Sequence, residues 1–296
     1  MPTALVTGSS SGFGRLTALA LARAGHRVFA SMRDPGGRNA SVAAELRAIG
    51  VAEGLALEAI ELDVTDEASI AAAVQDIEAR AGGIDVVVNN AGLAAAGLLE
   101  TFTADDAHRL FDVNVMGPLR VNRAVLPSMR ARGAGLLVYL SSTDGREMMP
   151  FLALYCSSKF ALEALAEGLA YEVGPLGIDS VIVQPGTFPT TSILKNLVAA
   201  SAPERAAGYG AVAEMPGQVF AGLGELVSSG NAPDPILVAN AIVDAVAMPP
   251  RTRPLRVVVD ASGFDGTAQL NDAARIVQRA LLAKFGLSSL GAPWLA

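Results

Sequence analysis

Short apolar runs alternate with longer stretches of helical period along the chain. The runs are ALVTG from Ala4, RVFASM from Arg27, LALEAIELDV from Leu55, DVVVNN from Asp85, GLLVYLSS from Gly135, DSVIVQPG from Asp179 and RVVVD from Arg256. They are rich in Val, Leu and Ile and bounded by Gly, Asp, Asn or Pro. Such continuous runs predict strands buried on both faces of a sheet, since a strand with one wet face would alternate apolar and polar residues. Between them, Phe13 to Ala24 carries Leu16, Leu19 and Ala20 at helical spacing and stops at Gly25. Glu67 to Ala81 follows Thr65-Asp66, which are good caps. Ala104 to Arg132 is long and contains Pro118, which predicts a kink or break. Leu154 to Val173 ends near Gly174-Pro175.

Strand and helix in alternation predict βαβ units. The expected fold class is α/β: a doubly wound, Rossmann-type parallel sheet of about seven strands, with helices on both faces. Ligands of such sheets sit beyond the C-terminal strand ends, so the chemistry should follow each strand. Two regions break the alternation. Residues 187–234 mix Gly, Ala, Pro and Ser with short apolar groups, too long for a simple connection, and predict an inserted substrate lid. Residues 265–296 form a tail with one helical stretch, Gly266 to Phe285. Nothing divides the chain, so 1–296 reads as a single domain.

Composition narrows the function classes. Hydrophobic residues make up 51% and charged residues 17% of 296, which excludes a disordered chain. The formal charge is −7, with no basic stripe, so nucleic acid is not an expected partner. A single cysteine, Cys156, excludes an internal disulfide framework and a Cys-rich zinc site. No apolar run approaches the length of a membrane span and the start carries no signal-like segment, so a cytoplasmic protein is expected.

TGSSSGFG, from Thr7 to Gly14, lies between the first strand and the first helix. Gly8, Gly12 and Gly14 permit a tight turn and a close ligand approach, and the helix that follows aims free N–H groups and a positive dipole end at the turn. This suits a pyrophosphate; a nucleoside-triphosphate loop would end in GK[ST]. After the second strand, FASMRD places Met32 and Arg33 where an NAD site usually has a carboxylate. Arg33 suits a 2′-phosphate, and Ser11 can add a hydroxyl. Asp34 could instead pair with Arg33 or serve NAD.

With these residues the chain resembles the short-chain dehydrogenase/reductase family, in its smaller, non-extended branch. The resemblance spans about Thr3 to Asp260 and rests on seven marks in order: TGSSSGFG at Thr7, LDV at Leu62, NNAG at Asn89, Asn114 in FDVNVMG, SS at Ser141, YCSSK at Tyr155 and PGTFPT at Pro185. It implies a glycine-rich loop (Gly8, Ser10, Ser11, Gly12, Phe13, Gly14) and an Arg33 that prefer NADP(H) over NAD(H). Asp63 and Val64 would contact the adenine, and Asn90, Ala91 and Gly92 would line the cofactor. Pro185, Gly186, Phe188 and Thr190 would fix the nicotinamide. Ser142 would hydrogen-bond the substrate carbonyl, Tyr155 would carry the proton, Lys159 would hold the ribose and ease ionisation of Tyr155, and Asn114 would hold a water relaying protons. A homodimer or homotetramer is likewise implied. Gln184, Leu140 and Asp144 depart from the family's usual residues, and Asp144 leaves the polarity of the substrate open.

The physics of those roles is independent of the family. A phenol with an ordinary pKa near 10 carries protons poorly at neutral pH unless its surroundings tune it. Tyr155 and Lys159, at i and i+4, share one helix face. Leu93, Ala94 and Ala95, Met148 to Phe151, Ile193, Leu194, Leu197 and Val198, and Phe220, Leu223 and Leu226 suit a hydrophobic ketone, aldehyde or secondary alcohol. His26 and His108 read as surface residues, Cys156 as a packing residue and Asp105-Asp106 as a helix start; no metal site is expected. Trp294 could pack or anchor a partner. The readings left open are an NADP(H)-dependent carbonyl reductase, an NAD-linked alcohol dehydrogenase, and a non-catalytic dinucleotide sensor on the same fold.

Overall fold

A computed structural model describes residues 1–191 and 197–290. Seven strands form one parallel sheet: β1 (Thr3–Val6), β2 (Arg27–Met32), β3 (Leu57–Glu61), β4 (Val86–Asn89), β5 (Gly135–Leu140), β6 (Ile178–Pro185) and β7 (Arg256–Val259). Their order is β3-β2-β1-β4-β5-β6-β7. The order reverses between β1 and β4, and a crevice opens there beyond the carboxyl ends of the strands.

Side-chain alternation shows why the runs are apolar throughout. Ala4, Val6, Val28, Val86, Val88, Val138 and Val183 pack on one face against helices α1 (Gly12–Arg23), α2 (Ala40–Glu53) and α8 (Ile236–Ala247). Leu5, Phe29, Val87, Leu137, Tyr139 and Ile182 pack on the other against α3 (Glu67–Ala81), α5 (Gly117–Arg132) and α6 (Ala153–Val173). Each fully buried Val or Leu contributes about 1.5–3 kcal/mol. The edge strand β7 is half-buried.

Helix boundaries follow their caps. Asp66 accepts from the Ala68 N–H at the start of α3, and Gly82 ends it at φ 79°. No break falls between Ala104 and Arg132: α4 (Ala104–Phe111) runs through a π-turn over Asp112–Met116 straight into α5, with Phe111, Asp112, Met116 and Gly117 all in right-handed helical conformation, and the altered hydrogen-bond register of the π-turn precedes Pro118. Pro127 lies inside α5 on its exposed side.

Helices α2 and α8 were not expected. α8 is apolar almost all round and shows no stripe; α2 buries only Ala43, Leu46 and Gly50. The expected lid is largely helical, with 3-10 turns over Pro203–Glu214 and then α7 (Met215–Ser228). Every residue of 203–228 is exposed or half-buried, so this segment lies over the molecule rather than in its core. The tail forms α9 (Gly266–Lys284). Among the described residues, no helix is long and apolar enough to cross a membrane. Ile193, Leu194 and Trp294 lie outside the described residues.

Candidate active site

One cleft of about 910 Å³ runs along the carboxyl ends of the central strands, from the glycine-rich turn and the β2 end to Ser142, Tyr155, Lys159 and the lid. The glycine requirements of the turn are visible. Gly8 has φ 68°, and a β-carbon on it would lie 2.8 Å from Ala91 Cα. A β-carbon on Gly14 would strike the Gly8 carbonyl and the Asn90 amide. Gly14 thus serves packing and does not line the cleft, whereas Gly8, Ser10, Ser11, Gly12 and Phe13 do. Ser11 precedes α1 without a side-chain cap, so the first N–H groups of the helix remain available to an anion. Asn90 Nδ2 donates to the Thr7 and Gly8 carbonyls (2.7 and 3.1 Å), fastening the turn to the β4 end. Phe13 meets Phe188 edge to face at 5.5 Å, joining the turn to the segment after β6. This cradle, with its uncapped helix end, fits a dinucleotide pyrophosphate.

After β2 and β3, where the resemblance places the adenosine, Arg33, Asp63 and Val64 line the cleft as expected. Asp34 neither lines the cleft nor pairs with Arg33. At φ 47° its carboxylate turns back to accept from the Arg38 backbone N–H at 2.9 Å. That turn brings Arg38, which the sequence reading missed, to the cleft wall beside Arg33. Burial raises the Asp63 pKa, but hydrogen bonds from Thr65 and the charges of Arg33 and Arg38 outweigh it, and the net shift is downward.

After β6, where the resemblance places the nicotinamide, Pro185, Gly186 and Phe188 line the cleft. Thr190 is exposed and outside it; Thr191 lines it instead, its hydroxyl donating to the Phe188 carbonyl at 2.9 Å. The next residue along the chain faces the cleft because the segment turns after Phe188.

Ser142 ends the β5 loop and begins a short 3-10 turn over Thr143–Gly145. Its hydroxyl accepts from the Asp144 N–H at 3.1 Å and lies 3.4 Å from both Asp144 Oδ2 and the Pro185 carbonyl. Tyr155 and Lys159 lie on the inner face of α6, both buried. Lys159 Nζ donates to the Leu140 carbonyl at 2.8 Å and stands 5.7 Å from the Tyr155 ring centroid. Burial lowers Lys159 to about 8, opposed by the charges of Glu163 and Asp144. Burial pushes the Tyr155 phenol upward, Asp144 adds to this, and the Ser142 hydroxyl opposes it. Asp144, half-buried, is pushed up to about 6 by burial, with the Ser142 hydrogen bond opposing, Glu147 adding and Lys159 opposing.

Asn114 sits in the π-turn, buried. Its Oδ1 accepts from the Leu93 N–H at 2.8 Å, and its Nδ2 donates to the Leu93 carbonyl and to Ser158 Oγ at 2.9 and 3.0 Å. Asn114 therefore ties the NNAG segment to α6, beside Lys159, and does not line the cleft. A β-carbon on Gly92 would approach Asn114 Oδ1 at 3.4 Å and Lys159 Nζ at 3.9 Å, so these groups share one wall.

Leu93, Ala94, Met149, Pro150, Phe151, Leu197, Phe220 and Leu223 line the cleft as expected, as do Asn90, Ala91 and Gly92. Ala95 and Val198 instead belong to a small core cluster with Leu110 and Leu154, and Met148 and Leu226 lie off the cleft. Asp260, Ser262 and Phe264, after β7, complete the wall; no sequence motif marks them. His108 is exposed, but His26 is half-buried, its Nδ1 has no hydrogen-bond partner, and burial lowers its pKa against the pull of Asp85. Cys156 is fully buried and packs as expected.

The sequence profile described as short chain dehydrogenase matches residues 2–201. The chain is 36% identical over 186 residues to a 3-ketodihydrosphingosine reductase of Bacteroides thetaiotaomicron, covering 63% of this chain and 64% of that one. It is 39% identical over 198 residues to human 17-beta-hydroxysteroid dehydrogenase type 1, covering 65% of this chain and 58% of that one. It thus spans less than two thirds of each of these curated relatives. A short-chain dehydrogenase from Streptomyces avermitilis superposes over 98% of this chain and 97% of its own, with 32% identity and a TM-score of 0.72. A Burkholderia cenocepacia gluconate 5-dehydrogenase, solved with NADP and tartrate, gives 34% identity and 0.58 over 63% of this chain and 71% of its own. A Burkholderia phymatum relative, solved with NAD, gives 25% and 0.72 over 95% of each chain.

Proposed function

The chain belongs to the short-chain dehydrogenase family, and from that premise we propose that it is an NADP(H)-dependent oxidoreductase. It reduces a hydrophobic ketone or aldehyde, or oxidises the matching secondary alcohol, with Tyr155 as proton donor and acceptor. The observation that carries this reading is the convergence of Ser142, Tyr155 and Lys159 in the cleft that begins at the glycine-rich turn. The names of the two curated relatives, a ketone reductase and a hydroxysteroid dehydrogenase, support carbonyl and alcohol chemistry. The Burkholderia cenocepacia structure holds NADP and the Burkholderia phymatum structure NAD; Arg33 and Arg38 favour the 2′-phosphate of NADP.

Gly8, Ser10, Ser11 and Gly12 would hold the pyrophosphate, Asp63 and Val64 would flank the adenine, and Pro185, Gly186 and Phe188 would bound the nicotinamide. When bound, the dinucleotide supplies or accepts the hydride at the carbonyl carbon. Ser142 donates a hydrogen bond to the carbonyl oxygen, and Tyr155 delivers its phenolic proton there as negative charge develops. The Lys159 ammonium favours the phenolate that remains, and Asn114 acts as a positioning residue for that wall.

Titration with NADPH and NADH, followed by nicotinamide fluorescence, tests the cofactor assignment; tighter NADH binding would overturn it. Tyr155→Phe should cut turnover by about 10²- to 10⁴-fold, the usual worth of a general acid, with NADPH binding retained. Undiminished turnover would refute the proton role.

A further inference from the structure

Asp144 stands where the reading above expects no negative charge. Its carboxylate lies 3.4 Å from the Ser142 hydroxyl, the group that must donate to the substrate oxygen. It also acts electrostatically on Tyr155 and Lys159. Reduction builds negative charge on the carbonyl oxygen between Ser142 and Tyr155, and a neighbouring carboxylate opposes that charge. Among the described residues Asp144 forms no ion pair. The Lys159 ammonium is held by the Leu140 carbonyl, and the adjacent Arg146 extends away to the Leu270 carbonyl at 3.4 Å. The other acids on this wall deepen the imbalance. Glu147 is hydrogen-bonded by Thr267, and Asp260 by the Ser262 N–H. Three arginines line the cleft, Arg33, Arg38 and Arg109, and none of them pairs with Asp144. A partly desolvated carboxylate without a cation is costly, and a ligand that brings one removes the cost.

We propose that Asp144 is a specificity-determining residue, and that the substrate is an apolar ketone carrying a protonated amine close to its carbonyl, as in an α-amino ketone or the corresponding amino alcohol. The inference rests on the oxidoreductase reading above. The amine faces Asp144 while the carbonyl oxygen faces Ser142 and Tyr155. The ammonium cancels the carboxylate just where the alkoxide forms, so the pair assists the transition state as well as binding. The apolar remainder runs along Met149, Phe151, Phe220, Leu223 and Phe264, which are among the apolar residues lining the cleft. A neutral ketone of the same shape leaves Asp144 uncompensated.

The test uses a matched pair: a long-chain α-amino ketone, and the same ketone with methyl in place of the amine. With the full chain and saturating NADPH, kcat/KM for the amine should exceed that for the methyl compound by at least tenfold. In Asp144→Asn that ratio should fall towards one. Calorimetric binding of the corresponding amino alcohol and methyl alcohol to the NADP-bound protein gives a readout independent of turnover. Turnover of both ketones with equal kcat/KM in the unmodified chain would overturn the proposal, and needs no folded variant. So would a ratio unchanged by Asp144→Asn, or an equal loss on both substrates, which would mark Asp144 as a neutral hydrogen-bond donor. Preferential binding of the amino alcohol without any turnover would uphold the Asp144 assignment and sink the oxidoreductase reading instead.

Discussion

Arg33 and Arg38 approach one end of the cleft by different routes. Arg33 follows β2 directly, so its position was legible from the strand that precedes it. Arg38 returns to the same wall only because Asp34 takes a positive φ and binds the Arg38 N–H. No residue type at position 38 announces that turn, and the four residues between Arg33 and Arg38 could have led elsewhere. If both guanidinium groups meet a 2′-phosphate, each supplies hydrogen bonds to a charged group worth about 1.5–3 kcal/mol. Removing either should therefore weaken NADPH binding by roughly ten- to a hundredfold at 1.4 kcal/mol per decade. Arg33→Ala and Arg38→Ala should leave NADH affinity nearly unmoved, because NADH lacks that phosphate. Parallel titrations decide this: an equal loss for both cofactors would mean the arginines only shape the loop. The same local-versus-returning distinction explains Thr190 and Thr191. PGTFPT marks the segment, but the hydroxyl facing the cleft is chosen by the turn after Phe188.

At the scale of elements, a buried carboxylate ties the start of the lid to α4. Asp106 closes a capping box with Thr103 at the start of α4, and also accepts from the Ser201 hydroxyl and N–H at 2.6 and 3.1 Å. These hydrogen bonds hold its pKa down at about 2. A carboxyl lowered on folding stabilises the folded chain above its unfolded pKa, and that contribution is lost as pH falls through the folded value. At neutral pH it is fully present. The lid then continues through Ala202, whose N–H donates to the Thr101 carbonyl, and through the exposed Arg205–Glu100 pair. Beyond these ties α7 touches the cleft through Pro216, Val219, Phe220 and Leu223, a stripe at helical spacing. Asp106→Ala should cost about 1 kcal/mol through the lost cap. It should raise KM severalfold by freeing the lid, with kcat moving less, since no reacting group is touched. Thermal unfolding and steady-state kinetics measured together test this; an unchanged KM beside a lowered Tm would confine Asp106 to capping. The sequence marked 187–234 as an insertion too long for a simple connection but did not mark α7, whose apolar stripe faces the cleft rather than the sheet.

Across the whole molecule, the sheet was legible because its central runs are buried on both faces, whereas the linkage between the sheet and its tail was not. Arg256 on β7 pairs with Glu163 and Glu167 of α6 at 2.7 and 2.6 Å; Glu163 accepts from Gln184 of β6, which accepts in turn from Asn271 of α9. Four elements meet through side chains that lie far apart in sequence and share no motif. Gln184 departed from the family's usual residue, and here it is fully buried at the centre of this network. The same tail carries Ser262 and Phe264 to the cleft and hydrogen-bonds Glu147 through Thr267, so stability and pocket shape share one anchor. Glu163 is 3% and Arg256 10% exposed, so removing one partner strands a buried charge. Arg256→Ala should then cost about 3–5 kcal/mol and lower Tm by roughly 10 °C for a chain of this size. The double variant Arg256→Met with Glu163→Gln should recover a large part of that loss, because a buried pair replaced as a unit costs far less than one broken in half. A double variant as unstable as Arg256→Ala would show that the charges themselves, and not merely their mutual compensation, hold β7 and the tail against α6.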